Sequence, residues 1–136
     1  MPRSFYFGVA VGSLLLAAAP AIAHHAFAAE FDVDKPVKVR GTITKVEWVN
    51  PHAWLYVDVK GVDGTVVNWH FELGPPNALI RLGWKKDSIP AGLEVEISGY
   101  QAKSGEPVAN GRSIKLPDGR ELFSGGSGPG EGANKQ

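Results

Sequence analysis

The chain has 136 residues, enough for one domain, and its 14 Lys and Arg balance its 14 Asp and Glu. This balance lacks the basic excess of nucleic-acid-binding domains, so no nucleic acid is expected as a partner. The chain has no cysteine, which excludes disulfides and thiolate metal sites.

The first 23 residues have the pattern of a secretory signal peptide. Arg3 supplies the positive start, residues 5–19 supply the apolar stretch, and residues 21–23 (Ala-Ile-Ala) supply the small side chains that precede a cleavage site. Pro20 interrupts the apolar run and no basic cluster follows it, which disfavours a retained membrane anchor. The sequence therefore predicts a protein exported to the periplasm, with no stable anchor after cleavage.

The first predicted strand is VKVRGTITKVEWV, residues 37–49. Its apolar and polar residues alternate, as they do in a half-buried strand. The apolar residues at the start of this strand have odd numbers, whereas Val46 and Trp48 have even numbers and would point to the opposite face. One extra residue near Thr44-Lys45, a β-bulge, would restore a single buried face and bend the strand.

Two further strands, AWLYVDVKG (53–61) and VVNWHFELG (66–74), are predicted to form a hairpin. Joining them through the three-residue loop 62–64, with Gly64 at positive φ, keeps the apolar positions opposite each other. This register places three apolar pairs on the core side, Val59 with Val67, Val57 with Trp69 and Leu55 with Phe71. It places three pairs on the outer side, Tyr56 with His70, Trp54 with Glu72 and Asp58 with Asn68.

The hydrophobic period changes after Gly74. The stretch PPNALIRLGW (75–84) begins with prolines and carries apolar residues at helical spacing before Gly83, so it predicts a short helix. LEVEISGY (93–100) returns to strand alternation, with its glutamates on the solvent face. GRSIKL (111–116) and GRELF (119–123) form a final predicted pair.

This order predicts a mainly β fold, a small five-stranded OB-like barrel with one short helix between strands three and four. The alternative is an open antiparallel sheet with one helix packed on it. The predicted organisation is a signal peptide (1–23), an N-terminal segment (24–35), the OB-like domain (36–123) and a disordered glycine-rich tail (124–136).

The outer face of the predicted hairpin is the candidate ligand surface, because OB folds commonly bind ligands on the face of strands two and three. Its aromatic and polar side chains suit a sugar ring, a planar cofactor or a peptide. The same residues also fit cross-strand stabilisation without a ligand. The candidate ligand-binding residues are His52, Trp54, Tyr56, Asn68, His70 and Glu72.

A second candidate site lies at the signal junction, where His24 and His25 follow the expected cleavage point. Cleavage after Ala23 would give His24 a free α-amine, and an amine and imidazole together suit Cu(II). His25 could add its backbone nitrogen. Two histidines also occur at such a junction by chance. His52 and His70 are not expected to share one ion, since they are separated too widely on the predicted hairpin.

No catalytic residue is predicted, because the chain lacks a His-Glu-x-x-His motif, a Gly-x-Ser-x-Gly motif and a cysteine nucleophile. The sequence favours a periplasmic, non-enzymatic binding or accessory module that takes a small ligand or an envelope protein. One alternative is a copper-binding or copper-dependent redox protein that uses His24. Another is a structural subunit that pairs through an exposed strand edge.

Four stretches resemble a family of small exported bacterial proteins classed as a domain of unknown function. They are HHAF (24–27), VEWVNPHAW (46–54), PNALIRLGWKKDS (76–88) and ANGRSIKLPDGRELF (109–123). The resemblance runs from His24 to about Phe123, and its most specific parts are NPHAW and GWKKDS. It implies a bacterial, periplasmic protein and supplies no catalytic residue.

Overall fold

The structure of the protein, a computed structural model, describes residues 26–125. Helix α1 covers residues 26–30, and helix α2 covers Pro76–Arg81 between the third and fourth strands. The six strands are β1 (Phe31–Glu47), β2 (Trp54–Lys60), β3 (Val66–Glu72), β4 (Glu94–Ala102), β5 (Val108–Lys115) and β6 (Glu121–Phe123). The predicted mainly β fold and the predicted helix at α2 are confirmed.

Five of the strands form a ring of backbone pairings. β1 lies between β2 and β4, β2 pairs with β3, and β4 pairs with β5, all antiparallel. β5 then pairs in parallel with the end of β3, through Phe71 with Ala109 and Glu72 with Asn110. β6 adds to β5. The parallel pairing joins the two ends of what would otherwise be an open sheet.

Strand β1 is long enough to pair with two other strands. Its earlier part pairs with β4 as far as Thr42, and its later part pairs with β2 from Thr42 onward. The register slips between Ile43 and Lys45, which confirms the predicted β-bulge. Such a bulge bends and twists a strand, so β1 can turn from one partner to the other.

The β2–β3 hairpin has the predicted register and loop. Gly64 has a φ of 84°, and the Gly61 amide donates to the Thr65 carbonyl at 2.8 Å. The outer pairs are those expected from the sequence. The prediction that Val67 faces the core is wrong, since 41% of it is exposed. β1 pairs with β2 only as far as Asp58, so the end of the hairpin projects past the core.

The core lies inside the ring, and helix α2 contributes to it through Leu79. Trp84, just after α2, is also buried. Its indole nitrogen donates to the Phe123 carbonyl at 2.9 Å, and its ring meets Trp48 edge-on with centroids 6.2 Å apart. The largest fully buried apolar side chains are Trp84, Phe71, Ile43, Leu55, Leu73, Leu79, Ile89, Ile97, Ile114, Val57 and Val95.

A second, smaller apolar cluster covers the outer side of β4 and β5. Phe27 of α1 and Phe31 at the start of β1 are buried there against Ala102, with Tyr100 and Val108 beside them. The ordered domain therefore includes part of the predicted N-terminal segment, and β1 begins six residues before the predicted start at residue 37.

At the other end of the described chain, the ordered structure continues past Phe123. Ser124 is buried, its amide donates to the Arg112 carbonyl, and its carbonyl accepts from the Gly74 amide at 2.7 Å. The predicted signal peptide, His24, His25 and residues 126–136 of the predicted tail lie outside the described residues. Within 26–125, no helix has the length and apolar character needed to cross a membrane.

Replacing Gly41 by alanine should destabilise the fold. A Cβ at this position would lie 2.2 Å from the Asp58 carbonyl oxygen and 2.8 Å from a Val57 methyl, at the point where β1 changes partners. Overpacking against backbone typically costs about 1–3 kcal/mol. Urea unfolding should show a loss of that size for Gly41→Ala and a much smaller change for the exposed neighbour Thr42→Ala. Equal stability of the two variants would contradict the bent-strand packing.

Candidate functional site

The structure places five of the six predicted ligand-binding residues on the outer side of β2 and β3, and His52 in the loop before β2. They do not form one continuous group. Tyr56 and His70 belong to an exposed cluster with Lys45 and Glu47 of β1, which we call the tyrosine cluster. Glu72 and His52 belong to a buried cluster with Asn110 of β5, which we call the glutamate cluster.

The tyrosine cluster is held by interactions among its own members. The Tyr56 hydroxyl donates to Glu47 Oε2 at 2.8 Å, Lys45 Nζ donates to Glu47 Oε1, and the ammonium lies 5.3 Å from the centre of the Tyr56 ring. The His70 ring meets the Tyr56 ring with centroids 4.6 Å apart. These contacts are typical of cross-strand stabilisation on a solvent-facing sheet.

The pKa shifts in the tyrosine cluster follow from these bonds. The hydrogen bond from Lys45, followed by the bond from Tyr56, lowers the pKa of the Glu47 carboxyl. Burial, followed by the hydrogen bond to Glu47, raises the pKa of the Tyr56 hydroxyl. Both shifts favour a charged Glu47 carboxylate beside a neutral Tyr56 phenol.

Asn68, the predicted residue nearest the hairpin end, is also satisfied within the sheet. Its side-chain amide donates to Asp58 Oδ1 at 2.8 Å and to Thr44 Oγ1 at 3.2 Å. The Thr44 hydroxyl in turn donates to the Tyr56 carbonyl. Asn68 therefore links β1, β2 and β3 on the outer face.

The glutamate cluster centres on a carboxyl that is removed from water. Glu72 is only 8% exposed although its side chain points away from the core. Burial raises the pKa of the Glu72 carboxyl above its ordinary value of 4.5. The charge of His52 lowers this pKa, and the charge of Glu30 in α1 raises it. The nearby Asn110 amide also lowers it. A cation or a hydrogen-bond donor that approaches such a carboxyl would favour its ionised form.

Asn110 is the second buried polar group of the cluster, with no exposed surface. The parallel pairing of β3 and β5 sets it beside Glu72, and the antiparallel pairing of β5 and β4 sets it beside Tyr100. Its amide lies near enough to the Glu72 carboxyl to favour the ionised form, yet neither Nδ2 nor Oδ1 makes a hydrogen bond of standard geometry. An unsatisfied buried polar group costs about 1–3 kcal/mol, so this side chain is unusual in a folded protein.

Tyr100 and Arg112 extend the glutamate cluster along β4 and β5. The Tyr100 ring packs edge-on against Phe27 of α1, with centroids 5.9 Å apart, and the Arg112 guanidinium carbon lies 5.9 Å from the centre of the Tyr100 ring. Arg112 is itself only 7% exposed. Helix α1, Tyr100 and Arg112 therefore lie at the β4–β5 side of the glutamate cluster, opposite the side formed by β2.

His52 borders the glutamate cluster on the β2 side. Its Nδ1 lies 3.1 Å from the Leu73 carbonyl oxygen and 3.7 Å from Glu72 Oε1. Because a carbonyl oxygen can only accept, Nδ1 carries the hydrogen and donates it. The other ring nitrogen, Nε2, then keeps its lone pair in the neutral ring. Backbone bonds from Ala53 to Gly74 and from Leu73 to Ala53 hold this loop in place.

Trp54 supplies the apolar part of the same surface. It pairs with Glu72 across the strands and is half-buried. A ligand that lies on the Trp54 ring could therefore extend a polar group toward Glu72 and His52. Among residues 26–125, no three His, Cys, Asp or Glu side chains are grouped closely enough to hold a metal ion.

Asn110, Tyr100 and Arg112 were not predicted as members of this site. Arg112 lies in the predicted strand 111–116, whereas Asn110 lies just before the predicted start of that strand and within the observed β5. Without the parallel β3–β5 pairing, nothing in the sequence places Asn110 beside Glu72. An asparagine among buried strand residues was the available signal, since asparagine is depleted in strands.

A family profile matches residues 11–111 of the chain, which include β1 to β4, the loop that carries His52, and Asn110 of β5. The chain belongs to DUF6152, a family of unknown function. The predicted family resemblance is thereby confirmed, although the match begins earlier and ends earlier than the expected span. No curated protein and no solved structure matches the chain.

Replacing Glu72 by glutamine should stabilise the protein at neutral pH. Folding raises the pKa of Glu72, so its contribution to stability is complete below pH 4.5 and declines as pH rises through the folded-state pKa. Thermal unfolding at pH 7 should give Glu72→Gln a melting temperature a few degrees above the unmodified protein, and this gain should vanish below pH 4.5. The exposed Glu106→Gln is the control and should show no such pH-dependent gain. A destabilised Glu72→Gln at pH 7 would oppose this assignment.

Proposed function

We propose that this member of DUF6152 is an exported, non-enzymatic binding or accessory module built on an OB-like barrel. The support is the order of the ring, β1-β2-β3-β5-β4, together with a short helix between β3 and β4. An OB fold is a five-stranded, partly open barrel that commonly binds ligands on the face of its second and third strands. In this chain that face carries Trp54, Tyr56, His70 and Glu72.

One observation carries the proposal, a buried Glu72 carboxyl paired with an Asn110 side chain that makes no hydrogen bond of standard geometry, beside the half-buried Trp54. Buried polar groups that lack hydrogen-bond partners within the protein are common at ligand-binding sites. The Trp54 ring would cover an apolar ring face of the ligand. Glu72 would accept hydrogen bonds from the polar edge of the ligand, as a sugar hydroxyl or a peptide N–H supplies, while the fully buried Asn110 would lie behind this carboxyl.

Alanine at Trp54 and Tyr56 should weaken this binding and leave the fold intact. The exported protein would be titrated by NMR with three probes: a neutral oligosaccharide, a flavin nucleotide and an extended tripeptide. At least one probe should shift the amide signals of β2, β3 and Asn110. The double variant should bind that probe at least about tenfold more weakly, the effect of losing about 1.4 kcal/mol.

Phe123→Ala is the matched control, since Phe123 is an exposed aromatic residue on β6, away from the proposed surface. It should bind the probe as the unmodified protein does. Unchanged binding by the Trp54 and Tyr56 double variant would reject the proposed surface. Absence of binding by all three probes would reject the proposed ligand classes.

We also propose copper binding at the mature N-terminus, through the amine and imidazole of His24 with His25 beside it. Both residues lie outside the described part of the chain, and the support is their chemistry: an α-amine and an imidazole directly after the expected cleavage point suit Cu(II).

The copper proposal predicts that the exported protein begins at His24 and binds one Cu(II) tightly. Mass spectrometry of the exported protein gives the N-terminus, and competition with a chelator of known affinity gives the dissociation constant. His24→Ala should weaken binding by at least about tenfold, because the imidazole arm of the chelate is lost. A start at any other residue, or equal affinity of the two proteins, would exclude this site.

A further inference from the structure

Strand β3 has one long edge that is only half occupied. β3 pairs with β2 along its whole length, but it pairs with β5 only from His70 to Glu72. Among residues 26–125, no strand therefore lies beside residues 65–69 on the side away from β2, and we call this segment the open edge. Two of its valines are exposed, Val66 at 55% and Val67 at 41%.

The backbone groups of Val66 and Asn68 point out of the open edge. In an antiparallel pair, the residues that bond to the partner strand alternate along the chain. Thr65 bonds to β2 through its carbonyl, so the odd-numbered residues of β3 face β2. The even-numbered residues face the other way, as His70 does when its amide donates to the Pro107 carbonyl at 3.0 Å. Val66 and Asn68 thus present two N–H and two C=O groups that bond to no described residue.

Pro107 explains why β5 does not cover the open edge. If the parallel ladder continued, residue 107 would donate an amide hydrogen to the Asn68 carbonyl, and proline has no such hydrogen. The chain before it is held toward β4, because Gln101 Nε2 donates to the Gly105 and Glu106 carbonyls at 3.1 Å. The position beside the first half of β3 is therefore left free by β5.

The edge of β6, at the end of the sheet, is protected in ways that the open edge is not. β6 has only three residues, begins with Glu121 and follows Arg120. The Phe123 carbonyl on its free side accepts a hydrogen bond from Trp84 Nε1. Short length, charge and covering side chains are common protections against pairing with another strand. Residues 65–69, Thr-Val-Val-Asn-Trp, contain neither a charge nor a proline.

We propose that the open edge pairs with the open edge of a second copy of this chain, in an antiparallel dimer centred on Val67. Val66 of each copy bonds to Asn68 of the other, which gives four backbone hydrogen bonds about a two-fold axis. A shift of two residues loses a pair in either direction. The next outward residue is Gly64 of the turn on one side and the already bonded His70 on the other. The edge therefore complements itself in one register.

The charges around the open edge favour a second copy as the partner. A two-fold axis brings the same residue of both copies together, so a charge near the axis would repel its own copy. None of residues 65–69 is charged. In the hairpin, Lys60 lies opposite Val66 and Asp58 lies opposite Asn68. The dimer therefore places Lys60 of one copy in the same row across the sheet as Asp58 of the other.

The dimer leaves the proposed ligand surface free and does not depend on it. The Glu72 end of β3 is already paired with β5, so the second copy approaches only the other half of the strand. Four backbone bonds and a few valine contacts make a small interface, and small interfaces are typical of reversible complexes. We therefore expect monomer and dimer to exchange with protein concentration.

Sedimentation equilibrium of the purified protein between about 10 μM and about 1 mM tests for the dimer, and its average mass should rise toward twice the monomer mass. Val67→Lys places two like charges at the axis and should weaken dimerisation by at least about tenfold. Val33→Lys is the matched control, because Val33 is a valine of β1 with 47% exposure, and it should dimerise as the unmodified protein does. A protein that stays monomeric at about 1 mM, or normal dimerisation of Val67→Lys, would overturn the proposal.

A cysteine at position 67 tests the register. The chain has no cysteine, so Val67→Cys can form a disulfide only with a second copy. Facing residues in a non-hydrogen-bonded pair have Cβ atoms as close as about 4.5 Å, within the range of a disulfide. With oxidised glutathione as the oxidant, Val67→Cys should form covalent dimers at least about tenfold faster than the control Val33→Cys. Equal rates would contradict an axis at Val67.

Hydrogen exchange identifies the backbone groups involved. The Val66 and Asn68 amides should exchange several-fold more slowly at high protein concentration than at low concentration, because the dimer bonds them. The Phe123 amide, on the free side of β6, should show no such dependence. A dimer with unprotected Val66 and Asn68 amides would place the contact elsewhere. Protection of these amides in a protein that stays monomeric would mean that another strand occupies the edge, and either result would overturn the proposal.

Discussion

The parallel pairing of β3 with β5 is the constraint on which the rest of the molecule depends. It joins the ends of an antiparallel sheet into a ring and encloses a core that includes Phe71 and Ala109, which themselves form one of its pairs. One residue further along, the same pairing places Glu72 beside Asn110. The contact that closes the fold therefore also creates its most unusual polar arrangement.

The two outer clusters of the hairpin differ in how their polar groups are satisfied. In the tyrosine cluster, Tyr56 and Glu47 bond to each other in contact with water, which stabilises the sheet at little cost. In the glutamate cluster, Glu72 is withdrawn from water and Asn110 lacks good partners. A folded protein tolerates such a cost at few places, and ligand sites are prominent among them. This difference is why we propose a binding site at Glu72 rather than at the more exposed Tyr56 and His70 rings.

The parts of the fold predicted from sequence are those specified by local pattern. The bulge near Thr44-Lys45 follows from a change of parity, the hairpin register from a loop with Gly64, and α2 from a change of period before Gly83. Helix α1 and the early start of β1 were not predicted. Their buried residues, Phe27 and Phe31, pack on the outer side of β4 and β5, and only the folded sheet creates that surface.

The candidate site was predicted in part for the same reason. Trp54, Glu72 and their facing positions follow from the hairpin register, which is local. The neighbour that makes Glu72 unusual comes from β5, 38 residues later in the chain, through a pairing that leaves no periodic signal. The orientation of His52 likewise depends on its approach to the Leu73 carbonyl across the hairpin. Local pattern located the surface, and long-range contacts determined its chemistry.

The central claim is that ring closure withdraws the Glu72 carboxyl from water beside Asn110. A pH titration of the Glu72 side-chain carbonyl carbon by NMR, in the protein without added metal, tests it most directly. The account predicts a midpoint above the ordinary value of 4.5 for this carboxyl. A midpoint at or below that value would show a solvated carboxylate and contradict the account.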